Sequence, residues 1–315
     1  NPELRNSAVP PYKTMADFAP STGVIIESPD FLPSESALKN LLLLANMSGM
    51  ADRVSARKAM ITLGLDPDDK KPVGKYSLGQ RQRLGIARAL ASYGVKVMLC
   101  DIDDEKGQKS LQLIRDEGGT AEYCHMDIFQ IADVKRVVAE TVRLFGGVDI
   151  LVNNVGGGEP SVRFEEISDA SWDKYIRFNL YGAFYMTREV FPYMMRQKSG
   201  KIVNISSGYA IGGGDYCAHY ATAKAGLIGF TTSVAREAAP YNVNVNVIPV
   251  ATTDTPAMRL TDTPEMIEQE IRETPLGRIG TPEDVANTVL FLVSEAASYV
   301  TGQIVAPNGG KRMLV

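Results

Sequence analysis

The stretch "VKVMLCDIDDEKGQKSLQLIRDEGGTAEYCHMD", Val95 to Asp127, decides the fold. It opens with a short apolar run ending in Asp101, passes through a polar segment with apolar residues at helical spacing, and closes on a second short run, "AEYCHMD". A strand, a helix of about a dozen residues and another strand cannot form a tight antiparallel hairpin; they form a parallel crossover. Working outward, the alternation repeats. "IADVKRVVAETVRLFG" reads as a helix, "VDILVNN" as a strand, and "DASWDKYIRFNLYGAFYMTREVFPYMM" as one long helix. Then come strand "GKIVNISS", helix "AHYATAKAGLIGFTTSVAREAAP", strand "VNVNVIPV", helix "PEDVANTVLFLVS" and strand "GQIVAPN". Near-continuous apolar strands separated by amphipathic helices need cover on both faces, so the spacing predicts a doubly wound, Rossmann-like α/β parallel sheet.

Upstream the pattern is different. Residues 1–21 carry Pro10, Pro11 and Pro20 and read as an extended leader. "TGVIIES" (Thr22 to Ser28) reads as one strand, Ser36 to Met47 and Val54 to Leu63 as helices, and "LDPDDKKPVG" as a charged loop. The expected division is 1–74 as an atypical segment and 75–315 as the α/β domain.

Composition bounds the function. The chain has 315 residues, 44% hydrophobic and 22% charged, enough for a substantial core. Its formal charge of -4 leaves no basic excess to neutralise phosphates, which argues against a nucleic-acid partner. Cys100, Cys124 and Cys217 are scattered, and His125 and His219 are far apart, so neither a disulfide framework nor a structural metal site is expected, and a reducing cytoplasm is the default. No apolar run reaches the roughly 18 to 20 residues that span a bilayer, and the front end has no secretory pattern.

The chemistry concentrates in "HYATAKAG", where Tyr220 and Lys224 stand four apart on one helix face. Ser207 ends the strand "GKIVNISS", where a parallel sheet presents residues to its ligand crevice. With "LVNNVGG" (Asn153, Gly156), "RFNLYGAF" (Asn179), "PLGRIGTPEDVA" and "YVTGQIVAPNGG" in order, the chain from about Gly85 to Gly310 resembles the classical short-chain dehydrogenase/reductase family.

The resemblance implies hydride exchange between a nicotinamide cofactor and a secondary alcohol or ketone. It assigns Tyr220 as general acid/base, Lys224 as the ammonium that favours the phenolate and holds the nicotinamide ribose, Ser207 as the hydrogen bond to the substrate oxygen, and Asn179 as the anchor of a proton relay. Asp101, ending "VMLCD", would accept from the adenosine ribose hydroxyls and repel a 2'-phosphate, which favours NAD; capping the next helix is the competing role, and the two can coexist. Ile102, Asp127 and Ile128 match positions beside the adenosine, and Asn153 and Gly156 the turn lining the adenine ribose, although Val155 replaces the usual Ala. Thr253 and Thr255 match positions reaching the nicotinamide amide and phosphates, but the family's Pro-Gly is absent, with Val250 and Ala251 in its place. The substrate pocket is expected near Tyr209, Tyr216, His219 and Gly212 to Gly214, under a lid formed by "ATTDTPAMRLTDTPEM". A homotetramer or dimer through the helices carrying Asn179 and Tyr220 is also implied.

The phosphate loop departs from the family. Laid on Gly74 to Ala87, the family's pattern keeps only Gly85 and Ile86; Gln80, Arg81 and Ala87 stand where Thr, Gly and Gly are usual. Glycines there let backbone N–H groups approach a pyrophosphate, and an Arg side chain obstructs that approach. "YSLGQRQRLGIARAL" (Tyr76 to Leu90) and the region from Thr22 resemble part of an ABC transporter ATPase instead, yet no Walker A sequence accompanies them. The join falls within "LGIARAL". Two readings lead, an active NAD-dependent oxidoreductase or a dehydrogenase-like chain whose altered loop impairs cofactor binding, with an ABC-type ATPase fragment as the least favoured. A third possibility is that Gly23 to Glu27 supplies the sheet's missing first strand.

Overall fold

The computed structural model describes residues 94–157, 162–254 and 263–313. All of them fall in the unit spanning Tyr76–Val315. The segments expected upstream, including Thr22 to Ser28, the two helices and the phosphate loop with Gly85 and Ile86, lie outside the described residues, as does Thr255.

The described residues form five parallel strands in two blocks. Strand β1 (Val97–Asp101) pairs with β2 (Ala121–His125) through the crossover helix α1 (Asp104–Asp116). Strand β3 (Ile150–Asn153) pairs with β4 (Gly200–Ser207), and β4 with β5 (Val243–Val250). Helix α2 (Ile131–Phe145) leads into β3, and α3 (Asp169–Ile176) and α4 (Gly182–Gln197) lead into β4. The short α5 (Tyr209–Gly212) and the long α6 (Ala218–Ala238) precede β5, followed by α7 (Pro264–Glu273) and α8 (Pro282–Val293). The two blocks are separate parallel sheets, ordered β1-β2 and β3-β4-β5; α2 packs against both, through Val138 on one and Val134 and Val137 on the other, as expected of a Rossmann-like α/β fold.

The alternation along each strand explains why helices cover both faces. Ile202, Val243 and Val245 pack with Val138 of α2, Val190 and Met194 of α4, and Ala235 of α6. Their neighbours Val203, Ile205 and Ile248 face the other way, onto Val289 and Leu292 of α8. In the first block, Val97 and Leu99 meet Leu111 and Ile114 of α1, while Met98 and Cys100 meet Val134 and Val137 of α2. Each of the large side chains buried completely here contributes about 1.5–3 kcal/mol.

Two predicted elements differ. The helix expected across Asp169 to Met195 is interrupted by a π-helical turn, Arg177–Tyr181. The last strand, "GQIVAPN", is short: it runs parallel to β5 through the bridge of Ile304 with Val247, with Gly302 N donating to Val245 O, Val247 N to Gln303 O and Val305 N to Val247 O.

Candidate active site

Within each block the strands run in parallel, so their carboxyl ends share one edge, and the predicted residues stand at those ends. Asp101 closes β1, Asp127 follows β2, Asn153 closes β3, Ser207 closes β4, and Thr253 follows β5.

At the catalytic end, Asn179 sits in the π-helical turn, 2% exposed. The turn's extra residue re-aims this side chain out of the helical register. Its Oδ1 accepts from Gly157 N (3.0 Å), and its Nδ2 donates to Gly157 O (3.1 Å) and Tyr175 O (3.2 Å). Gly156, with φ 148°, is required here: a Cβ would lie 2.6 Å from both Asn179 Oδ1 and Lys224 Nζ. Lys224 and Tyr220 lie four apart on α6, with Lys224 Nζ 6.0 Å from the Tyr220 ring centroid. Lys224 is 5% exposed, and its ammonium donates to Ile205 O (3.1 Å) with no carboxylate facing it among the described residues. Burial therefore pulls its pKa down to about 8.

Tyr220 departs from the expectation that Lys224 favours its phenolate. Burial dominates and raises its pKa, while the Ser207 hydroxyl, donating to the phenol oxygen, pulls it part of the way back. At neutral pH Tyr220 carries its proton, the state a general acid needs.

Beyond the catalytic end, the site residues divide. Asp101 Oδ1 accepts from Asp103 N (3.0 Å), while Asp103, not Asp101, caps α1 by accepting from Lys106 N. Ile102 is exposed at 63%. Asp127 Oδ1 accepts from Phe129 N (2.9 Å), closing the turn after β2. Two side chains point away from the crevice. Ile128 is buried in the core beside α2, leaving its side chain unavailable to the crevice. The Asn153 amide is turned into the sheet, donating to Asn204 Oδ1 (2.8 Å) and Thr187 Oγ1 (3.1 Å); a donor buried there must be satisfied inside. Thr253 forms a bridge with Gly280 and donates its hydroxyl to Ala251 O (2.9 Å).

Around the pocket, Tyr209 and Tyr216 are exposed, as a pocket rim requires. His219 is not part of that rim. It is 2% exposed and packs tilted against Tyr175 with ring centroids 3.9 Å apart, because one step along a helix turns a side chain about 100° from its neighbour Tyr220. Arg163 and Glu165 pair at 2.8 Å in solvent. Sequence reasoning missed Asn204, whose Nδ2 donates to Thr231 Oγ1 (2.9 Å), and Arg312, which reaches Gly208; only the strand register and the chain's return could place them. No cluster of three or more metal-ligating side chains occurs among the described residues, and no described helix is long and apolar enough to cross a membrane.

Comparison with known proteins accords with this geometry. Residues 83–312 match the family model described as enoyl-(acyl carrier protein) reductase, and residues 3–101 match the ABC transporter model, so both cover 83–101. The chain is 38% identical over 247 residues to the 3-oxoacyl-acyl-carrier-protein reductase FabG of Aquifex aeolicus, covering 75% of this chain and 97% of that protein. It is 35% identical to FabG of Thermotoga maritima (75% and 97%) and 35% identical to FabG of Staphylococcus aureus strain Mu50 (73% and 94%). With an ordered α/β scaffold, a Ser-Tyr-Lys crevice and a family match over most of its length, this chain belongs to the short-chain dehydrogenase/reductase family of oxidoreductases.

Proposed function

We propose that the protein reduces a ketone to a secondary alcohol with NADH, the ketone being a 3-oxoacyl thioester of the kind named for its relatives. The observation that carries this is the buried Lys224 ammonium, which lacks a described counter-charge beside a protonated Tyr220. Such a group fits ribose hydroxyls, which accept from an ammonium without neutralising it.

When bound, the nicotinamide supplies the hydride. Ser207 orients the substrate oxygen, Tyr220 delivers a proton to it, and Lys224 holds the ribose. Gly156 keeps the backbone close to that position, and Asn179 holds the Gly157 backbone in place. Asp101 supports NAD over NADP, since a carboxylate at a strand end accepts from ribose hydroxyls and repels a phosphate.

Residues 75–315 are the catalytic domain in this reading, and 1–74 a separate segment. Self-association as a dimer or tetramer would use the open apolar groove lined by Leu180, Tyr181, Phe184, Tyr185, Gly226 and Phe230. Light scattering of the wild type and Phe184→Glu tests this; a monomeric wild type rules it out.

The decisive experiment follows NADH oxidation with short-chain 3-oxoacyl thioesters, beside NADH binding by fluorescence. No NADH binding would sink the reading. One sequence feature favours the second reading, of an impaired chain: Arg81 and Ala87 stand where the family carries glycine. A large gain of NADH affinity in the Arg81→Gly/Ala87→Gly variant supports that reading, and an unchanged, already tight affinity refutes it.

A further inference from the structure

The chain's last described segment, Asn308 to Met313, returns to the carboxyl edge of the sheet, and two adjacent side chains there reach different parts of it. Arg312 Nη1 donates to Gly208 O (2.5 Å) and Gly213 O (2.8 Å), spanning the turn that contains α5. Its guanidinium also lies 5.2 Å from the Tyr209 ring centroid. That turn begins directly after Ser207, whose Oγ accepts from Tyr209 N (3.3 Å), and the Tyr209 ring meets Tyr220 edge-on at 6.3 Å. Lys311 Nζ reaches the other way, to Glu270 Oε1 (2.5 Å) and Glu273 Oε2 (3.1 Å) of α7. The second oxygen of Glu270 accepts from the Thr252 hydroxyl, next to Thr253 on the loop after β5.

The segment is shaped for this division. Asn308 Oδ1 accepts from Gly310 N (3.0 Å), Asn308 O from Lys311 N (3.0 Å), and Asn308 Nδ2 donates to Arg312 O (2.6 Å), closing a tight turn. Gly309 and Gly310 take positive φ (60° and 85°), and a Cβ on Gly309 would lie 2.6 Å from Thr274 Cγ2. The turn is therefore pressed onto the residues just after α7, where Leu276 N donates to Gly309 O (3.1 Å). Two consecutive side chains leaving such a turn diverge, so one segment grips two otherwise separate segments.

We propose that Lys311 and Arg312 are positioning residues for ketone reduction: Arg312 braces the Gly208–Gly213 turn beside Ser207 and Tyr220, and Lys311 fixes α7 beside the loop after β5. The proposal rests on the reductase reading for its kinetic consequence, whereas its structural consequence stands independently. Neither residue touches the reacting atoms. Arg312 acts because displacement of Ser207 or the Tyr209 ring misaligns the substrate oxygen, and small misplacements are costly in an oriented reaction.

The test uses the full chain and Arg312→Ala, Arg312→Lys and Lys311→Met, with two readouts. Hydrogen exchange at Ile211, Gly212 and Gly213 is expected to quicken in Arg312→Ala and not in Lys311→Met; exchange in α7 is expected to quicken in Lys311→Met and not in Arg312→Ala. For a 3-oxoacyl thioester, Arg312→Ala is expected to lower kcat/KM about 10- to 100-fold without changing NADH affinity. Arg312→Lys recovers part of the loss, since an ammonium can donate to one of the carbonyls but lacks the planar guanidinium that holds Nη1 between both of them and lies near the Tyr209 ring. Unchanged exchange in both segments, loosening of both segments by either variant, or an Arg312→Ala kcat/KM within twofold of wild type overturns the proposal. Should Arg312→Ala not fold, Arg312→Lys decides the same comparisons. A wild type that reduces no ketone removes the reductase reading alone, and the exchange pattern still decides whether the segment acts as a brace.

Discussion

The two ends of the crevice are built in opposite ways. At the catalytic end, Asn179, Ser207 and Lys224 are all at most 9% exposed and are held by short hydrogen bonds to backbone or to one another's neighbours. At the end proposed for the adenosine ribose, Ile102 stands in solvent, and the surrounding contacts, such as the His125–Asp104 hydrogen bond and the Lys106–Asp103 ion pair, are partly to largely exposed. The difference fits the role proposed for each end. Proton transfer is helped by a low-dielectric site that shifts pKa values, whereas recognising hydroxyl groups needs only correctly placed acceptors. Substitutions at the dry end therefore carry large effects, and those at the wet end small ones.

The contrast can be broken first at Tyr220. Tyr220→Phe removes the acid while keeping the ring, and NADH oxidation with a ketone is expected to fall about 10²–10⁴-fold at an unchanged melting temperature. A loss of less than tenfold would place the proton source elsewhere.

Next comes the core beneath the catalytic strands. Ile202, 1% exposed between α2, α4 and α6, is expected to cost about 2–5 kcal/mol on truncation to Ala, read from urea unfolding. An effect below 1 kcal/mol would mean the site collapses without a cavity.

Lys224 sharpens the comparison through pH. Its folded pKa of about 8 lies below the ordinary lysine value, so between about pH 8 and 10.5 the unfolded chain binds a proton that the folded one does not. Stability of the cofactor-free protein should therefore rise with pH across that window, by about 3 kcal/mol from this group, and the penalty should be fully present below pH 8. Lys224→Met is expected to abolish the slope and raise the melting temperature at pH 7 while activity is lost. A slope that persists in the variant assigns it to another group.

The smallest effect belongs to the ribose end. Asp101→Ser is expected to shift the ratio of NADH to NADPH affinity toward NADPH by about tenfold, near the 1.4 kcal/mol that a charge-assisted hydrogen bond carries, measured by titration with both cofactors. An unchanged ratio would remove Asp101 from cofactor choice.

Much of the fold was legible because its signals are local. Alternation of Val, Ile and Leu in "GKIVNISS" and "VNVNVIPV" marked strands buried on both faces, and the four-residue spacing of Tyr220 and Lys224 marked a shared helix face. Where signals are non-local, position along the chain did not give the direction of the side chain. His219 looked like a pocket residue from its adjacency to Tyr220, yet the helix turns it onto Tyr175. Ile128 and the Asn153 amide matched family positions, but packing against α2 and pairing with Asn204 direct both inward.

The sequence by itself determined the parallel alternation, the shared helix face of Tyr220 and Lys224 and the departure at Gln80, Arg81 and Ala87 from the family's phosphate-loop pattern, since each depends on residue type and spacing along the chain. Only the tertiary structure decided that Lys224 is buried without a described counter-charge, that a π-helical turn aims Asn179 at the Gly157 backbone, and that Lys311 and Arg312 reach back to α7 and the Ser207 turn. Desolvation and long-range contact depend on which segments share a volume, and that is fixed by packing rather than by sequence distance.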